Sequence, residues 1–187
     1  MNNYNYTYKL LRAEINNSIS TMESYHNIPS DTFRLKLNHN TWNCAEICQH
    51  LVQFNRVYIK HMQEAVQKKS KSDTGKEPFQ PRFVFRLFTS WLEPPYKMKI
   101  KTISPLYPGN SNTTPDNVVD ILIKTNKQLL VLIDHAENGK WDLNSITGSN
   151  PLLKFIPMTL VEMLAFFLAH QRRHFWQIER LLDKFGY

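Results

Sequence analysis

Residues 157–183, PMTLVEMLAFFLAHQRRHFWQIERLLD, constrain this chain more than any other stretch, because they read as one long amphipathic helix with two histidines inside its apolar face. Thr159 and Glu162 have the S/T-x-x-E spacing of a capping box, which satisfies free backbone N–H groups and marks the helix start. Pro157, just before the cap, is compatible with that start. The apolar stripe runs Leu160, Met163, Phe167, His170, His174, Ile178 and Leu181. Four residues apart, His170 and His174 stack one turn from each other on the same side. An apolar stripe that gives two positions to imidazole needs a chemical reason, and metal ligation is the leading one.

The other helices follow from the same periodicity. Residues 7–24 place Tyr8, Leu11, Ile15, Ser18 or Ile19, and Met22 on one side. Residues 26–40, with Pro29 and several Asn, Ser and Asp residues, read as a connection holding the loop histidines His26 and His39. A second helix follows over 41–69. Asn43 and Glu46 repeat the capping geometry, and Trp42 stands at the staple position. Its stripe is Ile47, Leu51, Phe54, Tyr58 and Met62, with His50 at the edge. A third helix is expected from Thr114 as N-cap and Pro115 at its first position to a stop near Gly139. Its core face is Val118, Ile121 or Leu122, Thr125, Leu129, Leu132 and Ala136, and His135 beside that face has no histidine partner. Between the second and third helices, PRFVFRLFTSWLEPP reads as a short helix or apron ended by Pro94 and Pro95. Residues 140–156 return the chain to the last helix.

Four long helices with one long middle connection predict an all-α fold, a four-helix bundle of up-up-down-down type with its crossover between helices two and three. With 187 residues, one domain over 1–187 is the simplest partition. Five glycines argue against a turn-rich β architecture. The net charge of +7 gathers in QKKSKSDTGK (67–76) and KMKIK (97–101). Solvated loops are the commoner home of such runs, and with no nucleic-acid-binding motif no nucleic-acid partner is expected. No basic n-region precedes an apolar segment at the start of the sequence. The longest apolar run, near 160–169, is broken by Glu162 and too short to span a bilayer. The expectation is therefore cytoplasmic, without a membrane partner. Cys44 and Cys48, one turn apart on one helix and outside any C-x-x-C motif, are expected as buried thiols rather than a disulfide.

In a helical bundle, metal sites form between facing helices from inward side chains. His50 from the second helix and the His170–His174 pair from the fourth make a three-nitrogen set for zinc, nickel or iron. Three protein ligands leave a position open for water or substrate, which marks a catalytic kind of site rather than a closed structural one. Glu46, one turn before His50, is the candidate for a catalytic base or for holding an imidazole, although its capping role explains it without chemistry. Gln177 and Glu162 are weaker candidates for the same work. Arg172 and Arg173 flank the histidine pair and read as solvated in preference to binding an acidic cofactor. No Ser-His-Asp set and no phosphate-binding glycine loop is visible.

The segment WNCAEICQHL, with the pattern W-x-x-x-E-x-x-x-H-L, and AHQRRHFWQ, with its H-x-x-x-H, resemble the corresponding segments of the DinB-like superfamily of helical-bundle metalloproteins. PPYKMKIK and NPLLKFIPMTLVEML are also similar to segments of such proteins, so the likeness covers most of residues 7–183. The resemblance implies a divalent ion on His50, His170 and His174. It also implies kinship with thiol-dependent S-transferases, in which the metal activates a low-molecular-weight thiol for attack on an electrophile. Two classes of function follow. One is a metal-dependent enzyme of thiol S-transferase or related lyase or hydrolase type, acting on a small-molecule substrate. The alternative is a non-catalytic metal-binding bundle with a structural, storage or sensing role. A homodimer is the assembly entertained for either.

Overall fold

The computed structural model describes residues 4–70, 74–95, 102–110, 117–152 and 155–187. The fold is all-α. Its helices are α1 (Tyr8–Ser24), α2 (Ser30–Arg34), α3 (Cys44–Gln67), α4 (Phe83–Leu92), α5 (Val118–Asn138) and α6 (Leu160–Lys184). Among the described residues the only sheet is a ribbon of two short antiparallel strands, β1 (Thr147–Gly148) and β2 (Met158–Thr159), which leads into α6. None of the described helices is long and apolar enough to cross a membrane.

The helix starts are where local chemistry puts them. The Thr7 hydroxyl accepts from the N–H of Leu10 at the head of α1. Asn43 with Glu46, and Thr159 with Glu162, both close as reciprocal capping boxes. The start expected at Thr114 and Pro115, like the KMKIK run and part of the first basic run, lies outside the described residues. The connection after α1 is more ordered than expected. It holds a 3-10 turn over Tyr25–Asn27 and the single-turn helix α2, whose Phe33 packs into the core beside Tyr25. Burial of two aromatic rings there outweighs the turn-forming preference of the surrounding polar residues.

Among the long helices, α5 packs against α1 and α3, and α6 packs against α3, α1 and the shorter α4. The faces that meet are those read from the sequence: Leu11, Ile15 and Met22 of α1, Ile47, Leu51 and Met62 of α3, Leu122 and Leu129 of α5, and Met163, Phe167 and Ile178 of α6 are essentially inaccessible to solvent. Each such side chain contributes about 1.5–3 kcal/mol by leaving water. Polar groups inside this core fix the register. Asn55 on α3 donates to the Thr125 hydroxyl on α5 at 2.9 Å and accepts from Gln171 on α6 at 3.4 Å. A sliding of any one helix would strand these amides in an apolar interior. The link matters for function, because Gln171 neighbours His170 in the chain.

Glu162 does more than cap α6. Its side chain is fully buried, yet it faces the guanidinium of Arg82 through Oε1 and Oε2 at 2.7 and 2.8 Å, while the Arg82 N–H donates to Oε1 at 2.9 Å. Burial alone would raise this carboxyl, but Arg82 and the Thr159 N–H hold it below its ordinary value. The pair fastens the N-terminus of α4 to that of α6, and so sets one wall of the site described next.

Candidate metal centre

His50 sits seven residues past the N-cap of α3, and His170 and His174 occupy the middle of α6, where both helices are buried on several sides. The three imidazoles come together. Nε2 of His170 lies 3.4 Å from Nε2 of His50 and 3.3 Å from Nε2 of His174. All three residues are at most 9% exposed. A tetrahedral zinc ion with bonds near 2.0–2.1 Å requires its nitrogens to stand about 3.3–3.4 Å apart. The two spacings to His170 match that edge length, and the three ligand nitrogens all lie within 4.8 Å of one another.

The outer nitrogens decide which lone pairs face inward. Nδ1 of His50 donates to the carbonyl oxygen of Leu106 at 2.9 Å, so its proton is on Nδ1 and its Nε2 carries the lone pair. Nδ1 of His174 donates to Oε1 of Gln177 at 3.0 Å, with the same result. His170 is held differently, by stacking on Phe54 with centroids 3.7 Å apart and planes 15° from parallel. Its Nδ1 is buried with no hydrogen-bond partner among the described residues. The Nε2 lone pairs of His50 and His174 thus face Nε2 of His170, and the three nitrogens are placed to ligate one cation. Three imidazole nitrogens so placed are a donor set able to hold a metal ion.

Burial keeps these rings uncharged. It pushes the His174 imidazole down to about 3, aided by His50 and Arg173 and opposed by Gln177. It lowers His170 well below the usual histidine range, with His174, His50 and Arg173 adding to the effect. It also lowers His50, against the bond to Leu106. Neutral imidazole is the ligating form, so the site is ready for an ion near neutral pH without first shedding protons.

The histidines line a cavity of about 630 Å³. Trp42, Leu106, Phe54 and Phe166 contribute apolar wall, and Asn40, Thr41, Arg173 and Gln177 contribute polar groups, Gln177 in contact with His174. The staple residue Trp42 thus also packs its ring 5.2 Å from that of His50 and 6.1 Å from that of Tyr107.

The remaining candidates divide. Glu46 spends both carboxylate oxygens elsewhere, Oε1 on Lys36 at 2.7 Å and Oε2 on the Asn43 N–H at 3.0 Å. The orienting of His50 falls instead to the Leu106 carbonyl, a backbone group in the long connection that leaves no mark in the sequence. Gln177 does orient His174, whereas Glu162 is engaged with Arg82. Neither arginine is simply solvated as expected. Arg172 is paired with Glu14 of α1 and with Glu93 just past α4, the latter at 2.6 Å. Arg173 is 7% exposed and lines the cavity. Cys44 and Cys48 are free, fully buried thiols, as expected.

Searches of curated proteins and of solved structures gave no match. The family model of the DinB superfamily matches residues 8–178, from the first turn of α1 through both ligand-bearing helices to Ile178. With capped α3, the H-x-x-x-H of α6 and a buried histidine triad between them inside that span, the chain belongs to the DinB superfamily.

Proposed function

We propose that this protein is a divalent-metal-dependent enzyme of the thiol S-transferase type, its ion held by His50, His170 and His174 with a position open to the cavity. The observation that carries this reading is the convergence of three Nε2 atoms, 3.3 and 3.4 Å apart, in the wall of a 630 Å³ cavity. A structural metal site closes its coordination shell with protein ligands and has no use for such a space. An all-α bundle of up-up-down-down type, with the long connection crossing beside the site, is the arrangement that accompanies this reading.

When bound, the ion would supply a Lewis-acid centre that favours the thiolate form of a low-molecular-weight thiol near neutral pH. The chain's own residues do the rest. Leu106 and Gln177 fix two imidazoles as Nδ1–H tautomers, and Phe54 fixes the plane of the third. Trp42, Leu106 and Phe166 exclude water, which strengthens every electrostatic contact inside. The Arg173 guanidinium adds positive charge at the histidine end, favouring an anionic reactant there.

The test is spectroscopic. Cobalt-substituted protein is titrated with low-molecular-weight thiols, and a change in its visible spectrum that disappears with the cobalt in His174→Ala supports the reading. If removing the metal melts the fold while no thiol or electrophile alters that spectrum, the non-catalytic alternative takes its place.

A further inference from the structure

Beside the histidine cavity lies a second one of about 220 Å³, lined by Tyr58, Phe85, Phe88, Trp91 and Met158 among others. Leu92, Leu152 and Phe166 line both. These shared side chains join the two spaces, and the annex is the more apolar of them. The histidine cavity carries Arg173 and Gln177 beside the histidines, and Asn40 and Thr41 elsewhere in its lining. The annex is walled by aromatic rings, with Asn150 as its one amide. Phe166 stands at the junction, its ring 5.7 Å from Tyr58 on the annex side and 6.3 Å from Phe54 on the histidine side, nearly parallel to the first. Phe166 is only partly buried, and Trp91 and Leu152 are 39% and 42% exposed, so the approach to the annex is apolar as well.

We infer that the small molecule taken by this site is an amphipath, with a polar end at the three histidines and Arg173 and an alkyl or aryl tail lying past Phe166 in the annex between α4 and α6. The annex has room for about seven groups of water's size, which suits a tail of similar length. An apolar annex filled only by water would be unfavourable at every wall, whereas a tail recovers the transfer free energy of each methylene. The inference deepens the proposed function, on which it rests for the role of the polar end. The tail is read out by binding alone.

The experiment uses the metal-loaded protein and a series of straight-chain carboxylates from butanoate to decanoate, followed by calorimetry. Affinity is expected to rise about three- to fourfold per methylene and to level off once the annex is full. Phe88→Ala, which opens the annex wall, and Leu152→Trp, which narrows the passage, should each flatten that dependence in protein that retains its metal. A dependence that is flat in the wild type overturns the inference. So does one that survives unchanged in both variants, since the tail would then lie elsewhere, for instance on the exposed face of α4 with Phe83 and Leu87. Neither result touches the thiol reading, which the cobalt spectrum tests separately.

Discussion

Nδ1 of His50 donates to the carbonyl oxygen of Leu106 at 2.9 Å, across 56 residues of chain. The bond ties α3 to a 3-10 turn over Ser104–Leu106 in the long connection, and it points the free lone pair of His50 at the two histidines of α6. The connection is thus part of the site's scaffold as well as a link between helices.

Metal should therefore be lost when a ligand from either helix is removed. Untagged wild-type protein is expected to carry about one divalent ion per chain by elemental analysis. His50→Ala and His174→Ala should each carry almost none, because two nitrogens bind far more weakly than three. Full metal in either variant would show that the ion sits elsewhere.

Chelation of the wild type should lower its melting temperature. An ion that binds only the folded chain stabilises it by about 2.7 kcal/mol at a hundredfold excess over Kd, or roughly 5–10 °C for a domain of this size. A melting curve that chelator leaves unmoved would argue against a bound ion.

The partners of the ligands should matter less than the ligands, but measurably. Gln177→Ala leaves Nδ1 of His174 without its acceptor and should weaken metal binding by about 10–100-fold. Phe54→Ala removes both a core ring, at about 3–5 kcal/mol, and the surface on which His170 lies. Competition with a metal-binding dye would measure the first effect, and denaturant unfolding the second.

What the sequence discloses about this site is what local chemistry controls. A capping box involves residues three apart, and the His170–His174 face needs only the helical period, so both are legible without coordinates. His50 is legible as a stripe-edge histidine, though its convergence on the pair depends on how α3 meets α6. Contacts between distant segments carry no comparable signature. The Leu106 carbonyl has no side-chain identity at all, and Phe54 reads as one more core residue until His170 is laid on it. The pairing of Arg172 with Glu14 and Glu93, 158 and 79 residues away, is invisible to helical periodicity, which would have left the side chain in solvent.

The buried thiols should be inert. Burial pushes Cys44 up to about 11 and Cys48 further still, so almost no thiolate exists near neutral pH. An aromatic disulfide reagent at pH 8 should label neither cysteine in native protein and both after denaturation. Fast labelling of native protein would reopen the question of whether a thiol of this chain takes part in its chemistry.

The Arg82–Glu162 pair should make stability depend on acid in a defined window. The carboxyl of Glu162 is held below its ordinary value of 4.5 in the folded chain, so the unfolded state binds the proton first as pH falls. Stabilisation from this group is therefore complete above about 4.5 and is lost as pH drops from there through the depressed folded value. Glu162→Gln removes the charge and weakens the cap, at a cost of about 2–3 kcal/mol, an upper figure because Arg82 is 52% exposed and water screens its side of the pair. The difference in unfolding free energy between wild type and variant should stay constant from pH 7 to about 5 and shrink below that. If the gap keeps its size at pH 3, the buried carboxylate is not the group on which the fastening of α4 to α6 depends.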